Sequence, residues 1–378
     1  MTSDADTRSA AGRRDTVVVG ASAGGVEALR TLVAGLPEDF PAALLVVLHV
    51  PQDSPNALAA ILDRSGPLPV GTARDGDRLR RGRVLVAPGG YHLLVRDGEV
   101  RLSRGPTENG HRPSVDALFR SAALARGPLA VAVVLSGTLD DGTSGLAAVR
   151  SAGGVAVVQD PDDAVYPGMP RSALAAVGAD HVVPVAGMPA LLDRLVREPR
   201  PDTEDPRDRP DRIDDPDHPD HHPHLVALED AMADLDPDAL SGPLRPGTPA
   251  PYSCPDCNGT LFRLEPEGAD LLRFRCRVGH AWTAGSLAAE QAGSHETALW
   301  TALRSLEERS ALHHELATRA AARGHAVSAA QFRGTAEEAG RAATAIRTLV
   351  ARGTDPTGDP TGDHEGDGAG GPAHAAAG

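Results

Sequence analysis

A run of branched apolar residues, Val17-Val18-Val19, passes straight into Gly20-Ala21-Ser22-Ala23-Gly24-Gly25. A strand apolar on both of its faces has to be covered on both, which suits the interior of a parallel sheet layered between helices. Glycines then allow a sharp turn into a helix, with Ser22 at the tip of the strand. Two chemistries use such a junction. One is a nucleophile elbow, which lifts a serine clear of the sheet beside backbone N–H donors. The other is a phosphate loop, in which the helix N-terminus meets an anion.

The pattern that follows is consistent with this start. From Thr16 to about Arg197 apolar strands alternate with helical stretches. Strands are predicted at Thr16–Gly20, Ala43–Val50, Leu68–Ala73, Arg83–Ala87, Tyr91–Arg96, Glu99–Ser103, Leu129–Ser136, Gly154–Gln159 and His181–Pro184. Helices are predicted after Gly25, Ser54, Ser114, Gly142, Met169 and Met188. The continuous apolar runs Ala43–Leu48 and Leu129–Leu135 suit a doubly wound α/β domain with a mainly parallel sheet. Val84–Ser103, with turns at Pro88-Gly89-Gly90 and Asp97-Gly98, reads as antiparallel hairpins at an edge of that sheet.

Composition separates the rest. The predicted organisation is a disordered segment 1–15, a catalytic domain 16–197, a Pro/Asp/Arg/His-rich linker 198–250, a small cysteine module 251–283, a helical hairpin 284–352 and a disordered tail 353–378. A short helix at Leu225–Leu235 interrupts the linker, and His218, His221, His222 and His224 read as a solvated tract rather than a metal site. With 378 residues the chain has ample length for a core. A formal charge of −15 argues against nucleic acid as a partner. There is no lysine, which removes Walker A loops, Schiff-base chemistry and serine–lysine dyads. The polar segment Met1–Arg14 lacks an apolar signal region, and the apolar run Ala42–Val50 is far too short to span a bilayer. Three cysteines, none before Cys254, indicate no disulfide framework, so a cytoplasmic protein without membrane insertion is expected.

In a doubly wound sheet, ligands bind beyond the carboxyl ends of the strands. Ser22 follows the first strand, His49 ends the second, and Asp140-Asp141 follows Leu129–Ser136. A serine, a histidine and an aspartate on one rim meet the requirement of a catalytic triad, with either aspartate as the acid. The chain order is not that of an α/β-hydrolase, where several strands precede the nucleophile and the histidine comes last. Dinucleotide binding fits less well, because Gly20, Gly24 and Gly25 miss the G-x-G-x-x-G spacing and His49 stands where an acidic residue is expected.

Six ordered blocks carry a family resemblance: Val19 to Ala28, Leu48-His49-Val50-Pro51, Ala87-Pro88-Gly89 with His92, His111 to Asp116, Leu135 to Gly142, and Gly168-Met169-Pro170. Over about Thr16 to Val196 the chain resembles the chemotaxis protein-glutamate methylesterase (CheB-type) catalytic domain. The resemblance implies hydrolysis of glutamate γ-methyl esters on methyl-accepting chemoreceptor-like proteins, with deamidation of glutamine as a companion activity and chemotaxis-type signalling proteins as further partners. It implies Ser22 as nucleophile, His49 as base and Asp141 as orienting acid, with oxyanion donors on the backbone N–H groups of Ala23 and Thr138. It also implies that catalysis needs no cofactor. Three departures stand out, the first being Ala23 where the family commonly has a threonine. Thr138-Leu139-Asp140 replaces the family's common Met-Gly-Asn, and the usual amino-terminal receiver domain is expected to be absent, since the first strand starts at residue 16. A non-catalytic signalling scaffold is the rival reading, although a scaffold has no need of all three triad residues.

Cys254-x-x-Cys257 and Cys276-x-x-x-His280, separated by eighteen residues, complete the set of signals. Two short-spaced ligand pairs flanking a strand pair are what a tetrahedral Zn²⁺ ribbon requires, and four protein ligands make such a site structural. In the helices beyond, Leu287, Leu299, Leu303, Leu306 and Leu312 recur at near-helical spacing and predict the seam of a hairpin.

Overall fold

The computed structural model describes residues 12–51, 57–199, 222–241, 247–264 and 271–353. Strand β1 (Thr16–Ala21) is buried at every residue. Its odd-numbered side chains Val17, Val19 and Ala21 enter one core with α1 (Gly25–Ala34), α2 (Ala57–Asp63) and α6 (Met188–Arg197). Val18 enters the opposite core with α3 (Val115–Arg126), α4 (Thr143–Ser151) and α5 (Gly168–Ala176). That alternation is the two-residue period of a strand, and an all-apolar strand satisfies both layers.

Seven parallel strands form the sheet, in the order β3 (Val70–Thr72), β4 (Arg83–Val86), β2 (Ala43–Leu48), β1, β7 (Ala130–Val134), β8 (Val155–Gln159), β9 (His181–Val183). The chain builds outward from β1 through β2 and then returns to lay β7 on β1's other side. The resulting switch point opens a crevice past the ends of β1 and β7.

The expected antiparallel edge is not part of this sheet. β4 lies inside it, parallel to both neighbours, because Val84, Leu85 and Val86 are apolar toward both faces. The hairpin forms a separate two-stranded sheet of β5 (His92–Arg96) and β6 (Glu99–Ser103) that packs into the α3 core. Its Asp97-Gly98 turn has φ of 44° and 81°, as a two-residue primed turn demands.

Within 198–250 the described residues contain two helices, α7 (His222–Ala233) and α8 (Pro237–Ser241). The helix expected at Leu225–Leu235 therefore starts earlier, and it is not a free linker helix. Glu229, Asp230, Met232 and Ala233 are buried. Asp230 pairs with Arg96 at 2.8 Å, and Ser103 Oγ donates to the Ala233 carbonyl at 2.6 Å. His218 and His221 lie outside the described residues, as do the side chains of His222 and His224.

A four-stranded antiparallel ribbon follows, in the order β10 (Thr248–Ser253), β11 (Thr260–Leu264), β12 (Arg273–Cys276), β13 (Ala281–Thr283). Its core is Cys254, Leu261, Phe274, Cys276, Trp282 and Leu287. A buried ion network joins ribbon, α7 and α3. Arg275 pairs with both Glu108 and Glu229 at 3.1 Å, Arg273 with Glu229 at 2.8 Å, and Arg120 with Glu108 at 2.5 Å. The chain through Glu290 is accordingly one compact unit, and residues from Gln291 form a second.

In that second unit, α9 (Ala284–Ala322) and α10 (Ala326–Gly353) make the expected hairpin. Its seam differs from the leucine stripe. Leu303 is buried with Ala317, Ala320, Ala329, Ala336, Ala339, Ala343 and Val350. Leu287 belongs to the ribbon core, and Leu312 is exposed. Small side chains let the two backbones approach closely, so alanine rather than leucine fills most of the seam, and Leu299 and Leu306 are only half-buried.

Candidate active site

The turn after β1 is set by its surroundings. Gly20 passes so close to α3 that a Cβ there would lie 2.1 Å from Val115 Cγ1. Gly24 has φ of 72° and ends the elbow, with α1 starting at Gly25. Parallel register pairs Ala21 with Leu48, so Ser22 and His49 are the next residues on adjacent strands. The His49 N–H donates to the Ala21 carbonyl at 3.2 Å, and the Ser22 N–H to the Ser136 carbonyl at 2.9 Å.

The loop after β7 brings a carboxylate to His49. Asp141 Oδ2 lies 2.7 Å from His49 Nε2 and accepts the Val115 N–H at 2.7 Å. Its Oδ1 accepts from Ser114 Oγ at 3.0 Å, Gly142 N–H at 3.0 Å, Asp116 N–H at 3.2 Å and Asn109 Nδ2 at 3.2 Å. Burial opposes charge on Asp141, yet the bond to His49 and the N–H groups around it hold this carboxyl well below the usual range. Asp116, buried beside it, is pushed well up by burial and by the Asp141 charge.

With Nε2 on Asp141, the other ring nitrogen of His49 is left. Nδ1 is buried and has no hydrogen-bond partner among the described residues. His111 stacks on the ring at 3.7 Å between centroids and 20° between planes. Burial and the neighbouring His49 push the His111 pKa down to about 4, with Asp141 pulling the other way, so His111 is neutral at neutral pH.

Ala23 directly follows Ser22, and Thr138 directly follows Gly137, which packs on Ser22. Ser136 Oγ donates to the Ala23 carbonyl at 2.8 Å and accepts the Tyr166 N–H at 3.0 Å, which orients the peptide after Ser22. Gly137 fits between Ser22 and Met169, where a Cβ would lie 2.9 Å from Ser22 Cβ and 2.0 Å from Met169 Sδ. The two adjacent aspartates diverge. Asp141 meets His49, whereas Asp140 turns away and accepts from Thr283 Oγ1 and Ser286 Oγ, both at 2.7 Å.

Residues 17–192 match the family model described as CheB methylesterase. Residues 17–192 form a CheB methylesterase domain. Two relatives from Anaeromyxobacter dehalogenans are named protein-glutamate methylesterase/protein-glutamine glutaminase. One is 43% identical over 187 residues, which is 50% of this chain and 55% of that protein. Another is 47% identical over 178 residues, covering 46% and 51%. The chain thus spans about half the length of the curated relatives it matches. The solved catalytic domain of Thermotoga maritima CheB methylesterase is 36% identical, is covered in full and covers 49% of this chain, at a TM-score of 0.47.

The methylesterase domain carries site neighbours that the sequence reading did not assign: Asn109, His111 and Ser114. Asn109 and Gly110 both adopt positive φ, 54° and 74°, a turn conformation that an Asn-Gly pair favours. Nothing in the linear order shows that this turn lies on Asp141. Exposed apolar residues Val165 and Tyr166 stand beside the elbow, where a Cβ at Gly24 would touch both.

Outside the methylesterase domain, one contact of the four predicted metal ligands is notable for its spacing. Cys254, Cys257, Cys276 and His280 present their ligand atoms within 4.8 Å of one another. Cys257 and Cys276 sulfurs are 3.7 Å apart, and His280 Nδ1 is 3.7 Å from Cys254 Sγ and 3.5 Å from Cys276 Sγ. A tetrahedron with Zn–S of about 2.3 Å and Zn–N of about 2.0 Å has edges of about 3.5–3.8 Å, so this donor set fits zinc. Knuckle turns at Asn258 (φ 58°) and Gly279 (φ 98°) bring each pair together.

Proposed function

We propose that this protein is a protein-glutamate methylesterase, hydrolysing γ-methyl esters on a chemoreceptor-like protein, with glutamine deamidation by the same groups. The observation that carries the reading is the His49–Asp141 bond, which leaves a buried, unpartnered imidazole nitrogen on the residue next to Ser22 in strand register. In this mechanism His49 Nδ1 takes the Ser22 proton as Oγ attacks the ester carbonyl. Asp141 holds the tautomer and stabilises the imidazolium. The N–H groups of Ala23 and Thr138, at the α1 end of the crevice, receive the negative carbonyl oxygen. Collapse expels methanol, which carries the proton from His49. Water then attacks the acyl-serine, giving its proton to His49, and the free glutamate side chain departs as Ser22 is restored.

Every reacting group belongs to the chain, so catalysis requires no cofactor. A structural Zn²⁺ would be held by Cys254, Cys257, Cys276 and His280, where it would cross-link the ribbon. No described helix is long and apolar enough to cross a membrane, which suits action on the cytoplasmic part of a receptor. Methanol release from a methylated receptor fragment tests the reading. Ser22→Ala should abolish it while leaving the melting temperature nearly unchanged, and substantial residual release from a pure sample would rule out this nucleophile.

A further inference from the structure

The ribbon does more than sit beside the esterase crevice. Strand β13 pairs in parallel with the segment at Glu108: the Ala281 N–H donates to the Thr107 carbonyl at 3.2 Å, and the Asn109 N–H to the Ala281 carbonyl at 2.8 Å. Ala281 directly follows the metal-ligand residue His280. A second bond fixes the Asn109 side chain. The Thr283 N–H donates to Asn109 Oδ1 at 2.9 Å. A backbone N–H is only a donor, so the amide oxygen must face the ribbon and the NH₂ must face the other way. There it donates to Asp141 Oδ1 and Asp116 Oδ2, each at 3.2 Å.

Two further links run in parallel. The same turn bonds Glu108 to His111 in both directions, at 3.1 and 2.9 Å, and His111 stacks on His49. Thr283 caps α9: its hydroxyl accepts the Ser286 N–H at 3.1 Å and so gives its proton to Asp140, the neighbour of Asp141. A Cβ at Gly285 would come within 2.9 Å of Asp140 Oδ2, so the helix start is fitted against this carboxylate. The departure from the family at Asp140 thereby acquires a partner in the ribbon.

We propose that the ribbon is a built-in support of the triad, in which metal at Cys254, Cys257, Cys276 and His280 fixes β13, and β13 fixes Asn109 and with it Asp141. Esterase competence then depends on occupancy of a metal site outside the crevice, and Asn109 is a positioning residue. The proposal rests on the esterase reading above for its catalytic consequence.

The test uses the full chain, stripped by chelator under reducing conditions and then reloaded with zinc, with metal content followed by elemental analysis. One readout is the far-downfield proton resonance of the imidazole N–H between His49 and Asp141. A second is the rate at which a fluorophosphonate labels Ser22, and a third is the emission of buried Trp282. Stripping should shift or broaden the resonance and slow labelling about tenfold or more, and zinc should restore both. Asn109→Asp supplies an arm independent of ribbon folding. It keeps the left-handed turn and the acceptor for Thr283 but loses the donor to Asp141. It should keep one zinc and the Trp282 emission, yet label about tenfold more slowly. Unchanged resonance and labelling in metal-free protein, or zinc-loaded Asn109→Asp labelling at the wild-type rate, would overturn the proposal. Failure of the esterase reading looks different: Ser22 labelling and the resonance respond to zinc, yet no methanol leaves a methylated receptor fragment.

Discussion

At the scale of single residues, the crevice is organised around one carboxylate. Asp141 is buried, yet six donors around it hold its carboxyl well below the usual range, while burial and the Asp141 charge push Asp116 beside it up. His111 shares this environment and has a consequence for stability. Its folded pKa is about 4, against an ordinary value of 6.5. Between those values the unfolded chain binds more protons, so stability should fall as pH drops from 6.5 toward 4, by no more than about 3 kcal/mol. Buried His92, whose pKa burial also lowers, acts in the same sense. His111→Phe keeps a ring against His49 without a titrating group. Urea midpoints at pH 6.5 and 4.5 should therefore differ less in this variant than in wild type, and equal differences would show that His111 is not titrating there.

Elements decide what each residue meets. α7 places Glu229 against Arg273 and Arg275, and despite burial these arginines hold its pKa at about 2. Removing one member of a buried ionic cluster strands the others, so Glu229→Gln should cost about 3–5 kcal/mol in urea unfolding. β1 imposes a different constraint. Gly20→Ala inserts a methyl group against buried Val115, and overpacking of about 1–3 kcal/mol should appear as a lower melting temperature. The loop before α5 presents Val165 and Tyr166 to solvent next to the elbow. Tyr166→Ala should raise KM for a methylated receptor fragment several-fold with kcat little changed, and leave a small methyl ester unaffected. A fall in kcat on both substrates would instead implicate the Gly137 turn, whose N–H donates to the Tyr166 carbonyl.

For the molecule as a whole, the first unit extends from the parallel sheet through the ribbon. Purified protein should contain about one zinc per chain, and Cys276→Ser should lose it. A ribbon of this size cannot bury a self-sufficient core, so without metal its strands should open. Arg273 and Arg275 would then leave the ion network with Glu108 and Glu229. The main thermal transition of Cys276→Ser should accordingly drop, and limited proteolysis should begin in the ribbon. A melting profile identical to wild type would mean that the network holds without metal.

How far the sequence reaches follows from the range of the forces involved. Strand identity, the doubly wound class, the elbow at Ser22 and the pairing of cysteines with His280 were legible, because apolar periodicity and ligand spacing are local properties. His49 and the Asp140-Asp141 pair could be placed on one rim for the same reason, since strand ends define the rim of a parallel sheet. The choice between the two aspartates needed the family resemblance or the fold, since neighbours in sequence differ only in which partners packing brings to them: His49 for one, Thr283 and Ser286 for the other. The hairpin's departure from the sheet edge, the burial of α7 and the alanine seam of α9 and α10 were likewise settled by competition for contact surface. Asn109 shows the division most clearly. Its turn is written in the dipeptide Asn109-Gly110, but its hydrogen bonds reach Thr283 and Asp141, and only tertiary structure brings those two within range of one amide.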